Sequence, residues 1–277
     1  MLPVYTASRY VVPLKEGGSL PAILDTEEGG TFVTKFRGAG QGARALVAEI
    51  IVGSLGHALG LPVPDLAIIE LDESFGRSER DPEIQDILKA SRGVNVGLRY
   101  LPGAFNYDPV AMPDIDPELA SSIIWLDALV TNIDRTPRNP NLMMWDDRAW
   151  MIDHGAALYF HHNWNSLDES RIRTPFAAIR DHVLLPFAGD LDAVDAMMAE
   201  RITTDMLHDV LALVPDALLM DAPSGVEPPF QTAAANRDAY LGYFQTRLQS
   251  PRLFAEAAVQ ARDQRRAEPP VEQKYRR

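Results

Sequence analysis

The sequence predicts an α+β protein of two unequal lobes, and three observations predict it. Residues 10–36 alternate short apolar stretches with glycine pairs, which is the texture of strands and tight turns. One long apolar helix pattern and two more strand patterns follow before residue 100. Beyond the joint Leu101-Pro102-Gly103 the periodicity turns helical. The expectation is an N-terminal lobe over residues 1–102, an antiparallel sheet with one long helix, and a mainly helical C-terminal lobe over 103–262. Residues 263–277 are expected to be a disordered tail, because they are polar and interrupted by Pro269-Pro270.

Each element has its own signal. Val11-Val12, Ala22-Ile23-Leu24 and Phe32 to Phe36 read as three antiparallel strands, separated by Glu16-Gly17-Gly18-Ser19 and Glu27-Glu28-Gly29-Gly30. A helix is expected from Ala43 to Leu59, stopped by Gly60 with Pro62 beyond it. Leu66 to Leu71 is an apolar strand, and the charged stretch Asp72 to Ser91 is loop or a short helix. Val94, Val96 and Leu98 alternate with Asn95, Gly97 and Arg99 as a strand that runs into Tyr100-Leu101-Pro102. In the second half, helices are expected at 117–131, 191–200, 204–213, 232–248 and 253–262. Leu142 to Trp145 and Ala149 to Ile152 flank the turn Asp146-Asp147-Arg148 as a hairpin.

Composition narrows the function. The chain has 277 residues, 46% hydrophobic and 23% charged, enough to build a large core. It has no cysteine, so disulfides, thiolate nucleophiles and cysteine metal sites are excluded. The N-terminus lacks the pattern of a signal peptide and no apolar run is long enough to span a bilayer, so a cytoplasmic protein without membrane partners is expected. With 26 basic and 39 acidic residues, the formal charge of −13 argues against nucleic acid as a direct ligand. It does not argue against a nucleotide, whose phosphates a magnesium ion and a few cations neutralise locally.

The polar residues cluster in one place. Asn132-Ile133-Asp134-Arg135-Thr136-Pro137-Arg138-Asn139-Pro140-Asn141 lies between the helix ending near Thr131 and the hairpin. Antiparallel pairing brings the open ends of the hairpin together, so Asn139 and Asn141 should face Asp153 of Ile152-Asp153-His154-Gly155. Singly, Asn, Asp and Pro are turn formers. Together, an Asp, an Asn five positions later and an Asp-x-Gly after a hairpin fit phosphoryl transfer, with one carboxylate orienting a hydroxyl and the other two groups holding Mg²⁺. Independently, Glu49 lies among Ala45, Leu46, Val52 and Gly53 on a packed helix face, and a buried carboxylate needs a cation. Lys35, on the preceding strand, is the expected partner. Arg135 and Arg138 are candidates for steadying a transferring phosphoryl group, with solvent-exposed arginines as the plainer alternative.

Thr34-Lys35-Phe36, the Glu49 helix running into Leu59-Gly60-Leu61-Pro62, Asn132-x-Asp134-Arg135-x-x-x-Asn139 and Ile152-Asp153-His154-Gly155 together resemble the HipA-like kinases, within the protein-kinase-like fold. The resemblance covers most of residues 10–260. It implies an ATP- and Mg²⁺-dependent kinase in which Lys35 contacts the phosphates, Glu49 positions Lys35, Asp134 is the catalytic base, and Asn139 and Asp153 bind the metal. It further implies that Gly17, Gly18 and Ser19 cover the phosphates and that Tyr100 and Leu101 belong to the adenine-contacting hinge. The departures are His154 in place of the Phe of Asp-Phe-Gly, Asn132 in place of the His of His-Arg-Asp, and an incomplete glycine loop. The chain is too short for the extra N-terminal subdomain of larger HipA toxins, so neither a toxin role nor an antitoxin-like partner is carried over.

The expected acceptor is a protein Ser or Thr. A small-molecule or lipid-headgroup kinase and a non-catalytic nucleotide-binding pseudokinase are the alternatives. A remote alternative, a dinucleotide-binding oxidoreductase, rests on Gly38-Ala39-Gly40-Gln41-Gly42, whose spacing departs from Gly-x-Gly-x-x-Gly. His161-His162 are expected to be loop residues rather than zinc ligands, Asp205, His208 and Asp209 solvated surface, and Ala156 to Thr174 a segment that helps dock the acceptor.

Overall fold

The computed structural model describes residues 1–14, 20–40, 42–77, 79–111, 115–222 and 227–267. Five strands form a closed barrel: β1 (Val4–Pro13), β2 (Ala22–Thr26), β3 (Thr31–Lys35), β4 (Leu66–Leu71) and β5 (Gly93–Arg99), in the order β1-β2-β3-β5-β4. The expected antiparallel sheet is thus corrected in one respect. β1 is ten residues long and irregular at Arg9 and between Tyr10 and Val12, so it bends. Its second half pairs antiparallel with β2, while Val4 to Thr6 pair parallel with Ile68 to Glu70 of β4 and close the sheet on itself. Inside the barrel, Ala7, Ala22, Leu24, Phe32, Ala67 and Ile69 form a small core that removes both sheet edges and their apolar face from water.

Helix α1 (Gly42–Ala58) follows β3. Its residues from Ala45 to Gly56 are buried without a solvated stripe, as expected for a helix enclosed on every side rather than lying on a surface. It packs on β4 and β5 and also on two helices of the second half, α6 (Thr204–Ala212) and α7 (Asp216–Leu219). It ends at Gly60, where φ of +78° lets Leu61 N–H bond back to the Gly56 carbonyl at 2.8 Å. The charged stretch after β4 contains α2 (Pro82–Ala90), capped by Asp81, whose side chain accepts from Glu83 N–H.

The second half is built on α3 (Pro117–Leu129), buried from Ala120 to Leu129. The hairpin of β7 (Leu142–Trp145) and β8 (Arg148–Met151) follows, joined at its edge by the two-residue strand β6 (Phe105–Asn106). Then come α4 (Glu169–Ile172), α5 (Leu191–Arg201), α6, α7, α8 (Ala233–Arg247) and α9 (Leu253–Ala267). One continuous core runs from Leu46, Ile50 and Leu55 of α1 through Ile123 and Leu126 of α3 to Phe244 and Phe254. Helix α9 continues five residues past the expected end at 262, because Arg262 and Arg266 donate to the Gly189 and Ala188 carbonyls and tie it down. The rest of the expected tail, from 268 on, lies outside the described residues. Among the described residues no helix is long and apolar enough to cross a membrane.

One helix appears that the sequence did not announce, and one local expectation changes. The 216–219 helix has no signal beyond a few apolar residues after Pro215. His161 and His162 lie in a 3-10 turn (Tyr159–Ser166) rather than an open loop, and His161 is fully buried with its Nδ1 2.9 Å from the Tyr240 hydroxyl. Asp205, His208 and Asp209 are exposed on α6, as expected.

Candidate active site

A cavity of about 790 Å³ opens between the barrel and the loops before and after the hairpin. Ile23, Val33, Leu98, Leu142 and Ile152 form apolar walls, and Tyr100 and Leu101 line it just beyond the end of β5. Lys35, Asp134, Arg138, Asn139 and Asp153 belong to the polar lining, with Arg99, Asn106 and Asn141. Lys35, Asp134, Asn139 and Asp153, expected from sequence to form the site, therefore share one cavity with Arg138, Asn141, Tyr100 and Leu101, although they come from separate elements. Glu49 does not line it, but it touches Lys35 from behind. Gly17, Gly18 and Ser19 lie outside the described residues; Leu14 and Pro21, which bracket them, are bonded N–H to carbonyl at 2.7 Å and line the cavity.

Lys35 sits at the end of β3 where the strand faces α1. Its Nζ donates to Glu49 Oε2 at 2.6 Å and to Asp153 Oδ1 at 2.5 Å. Glu49 Oε2 also accepts from the His154 backbone N–H at 2.8 Å, so this carboxylate fixes both the lysine and the segment carrying Asp153. Its other oxygen has no partner among the described residues. Burial drives the Glu49 carboxyl above its usual range, and the Lys35 charge offsets that only in part. Burial also penalises the Lys35 ammonium, but Glu49 and Asp153 outweigh it and the lysine is held charged. Burial works to raise Asp153, and the same lysine outweighs it, so Asp153 stays ionised. The Asp153 side chain is 39% exposed against 0% for Glu49, and it presents its carboxylate to the cavity.

Across the cavity, Asn139 Nδ2 donates to Asp134 Oδ2 at 2.9 Å, and Asn141 Nδ2 donates to the same oxygen at 3.2 Å. With its amide nitrogen so used, Asn139 keeps its amide oxygen as a donor for a cation. An Asn oxygen and an Asp carboxylate facing one cavity are hard ligands that fit Mg²⁺, which takes few protein ligands and completes its shell with water and phosphate oxygens. Among the described residues no group of three or more His, Asp or Glu stands together.

The structure separates the two arginines of the loop. Arg138 is exposed on the cavity wall. Arg135 is 1% exposed and does not line the cavity, so it is not available to a phosphoryl group. Its Nε donates to Asp127 Oδ2 at 2.5 Å, and its Nη1 donates to the Asn141 carbonyl and, at 3.4 Å, to that of Ile152. Asp127 Oδ1 accepts from Asn132 Nδ2 at 2.9 Å, and Asp127 Oδ2 accepts from His182 Nε2 at 3.0 Å. Burial would raise the Asp127 carboxyl, but the Arg135 charge and the His182 bond overcome it and hold the group well below the carboxylate range. His154 is pushed down to about 3, by burial and then by the Arg135 charge, and is neutral. Asp127 and His182 went unnoticed in the sequence. The signal for Asp127 was the one used for Glu49, a lone charge inside an apolar helix, Ile123-Ile124-Trp125-Leu126-Asp127-Ala128-Leu129.

Known proteins resemble this chain in family and in fold. A family model described as HipA-like kinase matches residues 9–212. Among curated proteins no relative matches. Among solved structures, a Helicobacter pylori proinflammatory kinase, CtkA, aligns at a TM-score of 0.53 over 97% of this chain and 100% of its own, at 11% identity, which establishes likeness of fold.

Proposed function

The chain belongs to the HipA-like kinase family, and from that premise we propose that it transfers the γ-phosphoryl group of ATP to a hydroxyl, with Mg²⁺, the acceptor being a protein Ser or Thr. The observation that carries the reading is the ion pair of Lys35 with both Glu49 and Asp153 beside a cavity that Asp134 and Asn139 also line. We read the barrel with α1 and the helical remainder as the two lobes of a kinase-like cleft, with the adenine against Ile23, Val33 and Leu142 beside Tyr100 and Leu101.

In this reading each side chain has one task. Lys35, aimed by Glu49, meets the nucleotide phosphates. Asn139 and Asp153 hold Mg²⁺, which when bound neutralises charge on the phosphates. Asp134 accepts the proton of the acceptor hydroxyl as its oxygen attacks phosphorus. The Asn139 and Asn141 amides that bond Asp134 keep its carboxylate turned to the cavity. Arg138, on the cavity wall, steadies the transferring group. Asp134 and Asp153 line the cavity together with Lys35 and Arg138, so a bound metal cation would meet carboxylate charge there and the two cations would meet phosphate charge.

The test is a thermal-shift titration with ATP, with and without Mg²⁺, with NADH as control, followed by transfer of radiolabel from γ-labelled ATP. Stabilisation by Mg-ATP and label on a protein hydroxyl are expected. A shift with NADH and none with ATP would overturn the reading.

A further inference from the structure

The loop carrying Asp134 and the segment carrying Asp153 are far apart in sequence and must be kept at a fixed spacing if one is to face an acceptor and the other a metal. Neither is held by regular secondary structure. Asn141 and Asp153 both have left-handed backbone, φ of +48° and +54°, conformations that cost free energy and persist only where the surroundings enforce them. Between these two residues the hairpin closes with a single backbone bond, Ile152 N–H to the Asn141 carbonyl at 3.1 Å.

The group that meets both ends from beneath is the Arg135 guanidinium. It reaches the Asn141 and Ile152 carbonyls on one side, and on the other its Nη2 lies 3.4 Å from His154 Nδ1. Its own backbone carbonyl accepts from Val183 N–H at 3.0 Å. The guanidinium is anchored by Asp127, two residues before the end of α3, and Asp127 is in turn fixed by two further donors, Asn132 and His182. His182 accepts Leu184 N–H on Nδ1 at 3.1 Å, so its proton lies on Nε2 and points at Asp127. Asn132 completes the frame, since its side-chain oxygen accepts Asp134 N–H at 3.1 Å. The rigid end of α3 is therefore connected through one buried ion pair to the residues flanking Asp134 and to those flanking Asp153.

We propose that Asp127 and Arg135 are a positioning pair that sets the spacing between Asp134 and Asp153, a strut under the site rather than a contact to phosphate. The proposal rests on the phosphotransfer reading for its catalytic consequence and on geometry alone for its structural one. Lys at 135 keeps the charge but presents a point donor in place of a planar fork, so it cannot hold Asp127 and the two carbonyls at once. Asn at 127 keeps the volume and removes the charge.

The experiment is R135K and D127N in the full chain, each followed by urea unfolding, amide hydrogen exchange and steady-state phosphoryl transfer. Expected in both is a loss of protection by about tenfold or more, confined to residues 139–142 and 152–155 and falling in the two segments together, while α5 and α8 keep theirs. The kcat is expected to fall about 100-fold, the order that a misplacement near 1 Å brings, with KM for ATP within about threefold of the parent. Unchanged protection in both segments, or protection lost evenly over the whole chain, would overturn the strut. If the parent protein itself transfers no phosphoryl group, the phosphotransfer reading falls, and the exchange pattern still decides the strut. Should one variant fail to fold, the other carries the same test.

Discussion

Replacing Lys35 by Met should destabilise the protein far more than replacing Glu49 by Gln, and combining them should restore much of the loss. In K35M the methylene stem survives but two carboxylates lose their cation. Glu49, fully buried, keeps only the His154 N–H, and removing one member of a buried ion pair costs about 3–5 kcal/mol. In E49Q the amide oxygen can take the place of Oε2 and accept both existing bonds, while the amide nitrogen occupies the position of Oε1, which has no partner already. The loss is then the charge of one hydrogen bond, about 1 kcal/mol. The double variant leaves no uncompensated charge in the interior, because Asp153 is the partly exposed member. It should therefore be about 1–2 kcal/mol more stable than K35M, a non-additivity of about 2–3 kcal/mol. Urea unfolding at pH 7.5, with m-values compared across the four proteins, measures it. Acid gives a second check. Burial already raises the Glu49 carboxyl, and without Lys35 it rises further, so the folded state of K35M binds a proton more tightly than the unfolded chain does. Its deficit should shrink as pH falls toward 5 and grow as pH rises. Additive losses, or a double variant weaker than K35M, would refute the buried-pair reasoning.

Three further outcomes follow from the same geometry. D134A should abolish phosphoryl transfer with ATP affinity within about threefold of the parent, whereas D153A should weaken the Mg²⁺-dependent part of binding, both by calorimetry; equal loss in the two would reject the separate roles. His161 is buried and pulled well below its ordinary value by burial, so the unfolded chain takes up a proton that the folded chain refuses, and stability drains as pH falls below about 6.5. H161Q should reduce that slope by about 1.4 kcal/mol per pH unit between pH 6 and 5 in pH-dependent urea titrations, and an unchanged slope would count against it. Arg247 is buried with no carboxylate partner among the described residues and donates to the carbonyls of Ala128, Leu129, Ile172 and Thr174, capping α3 and pinning the segment after the site. R247M keeps contact with the Phe254 ring, 5.0 Å from the guanidinium, yet should cost about 3 kcal/mol by chemical denaturation, since the Ala128, Ile172 and Thr174 carbonyls lose their donor and that of Leu129 keeps only the Tyr243 hydroxyl at 3.3 Å among the described residues.

Much of this protein is legible one segment at a time. The strands of 22–26 and 31–35 and the helices of 117–129, 191–201 and 204–212 follow from periodicity and from caps that act within a few residues. The polar run 132–141 and the Lys35–Glu49 pair were equally readable, because a buried carboxylate inside an apolar helix demands a cation and the preceding strand offers one. Those are local or near-local constraints, and the amino-acid sequence by itself determined them. What it could not decide were pairings that depend on how distant segments meet. The parallel contact of Val4 to Thr6 with Ile68 to Glu70, which turns a sheet into a barrel, leaves no mark in either strand because parallel pairing is a long-range choice. Arg135 and Arg138 are alike in sequence and three residues apart, yet one is buried on Asp127 and the other faces the cavity. Their difference is a difference of electrostatic environment, and only the tertiary structure, by bringing α3, His182 and both ends of the hairpin around a single guanidinium, decided which arginine faces the cavity.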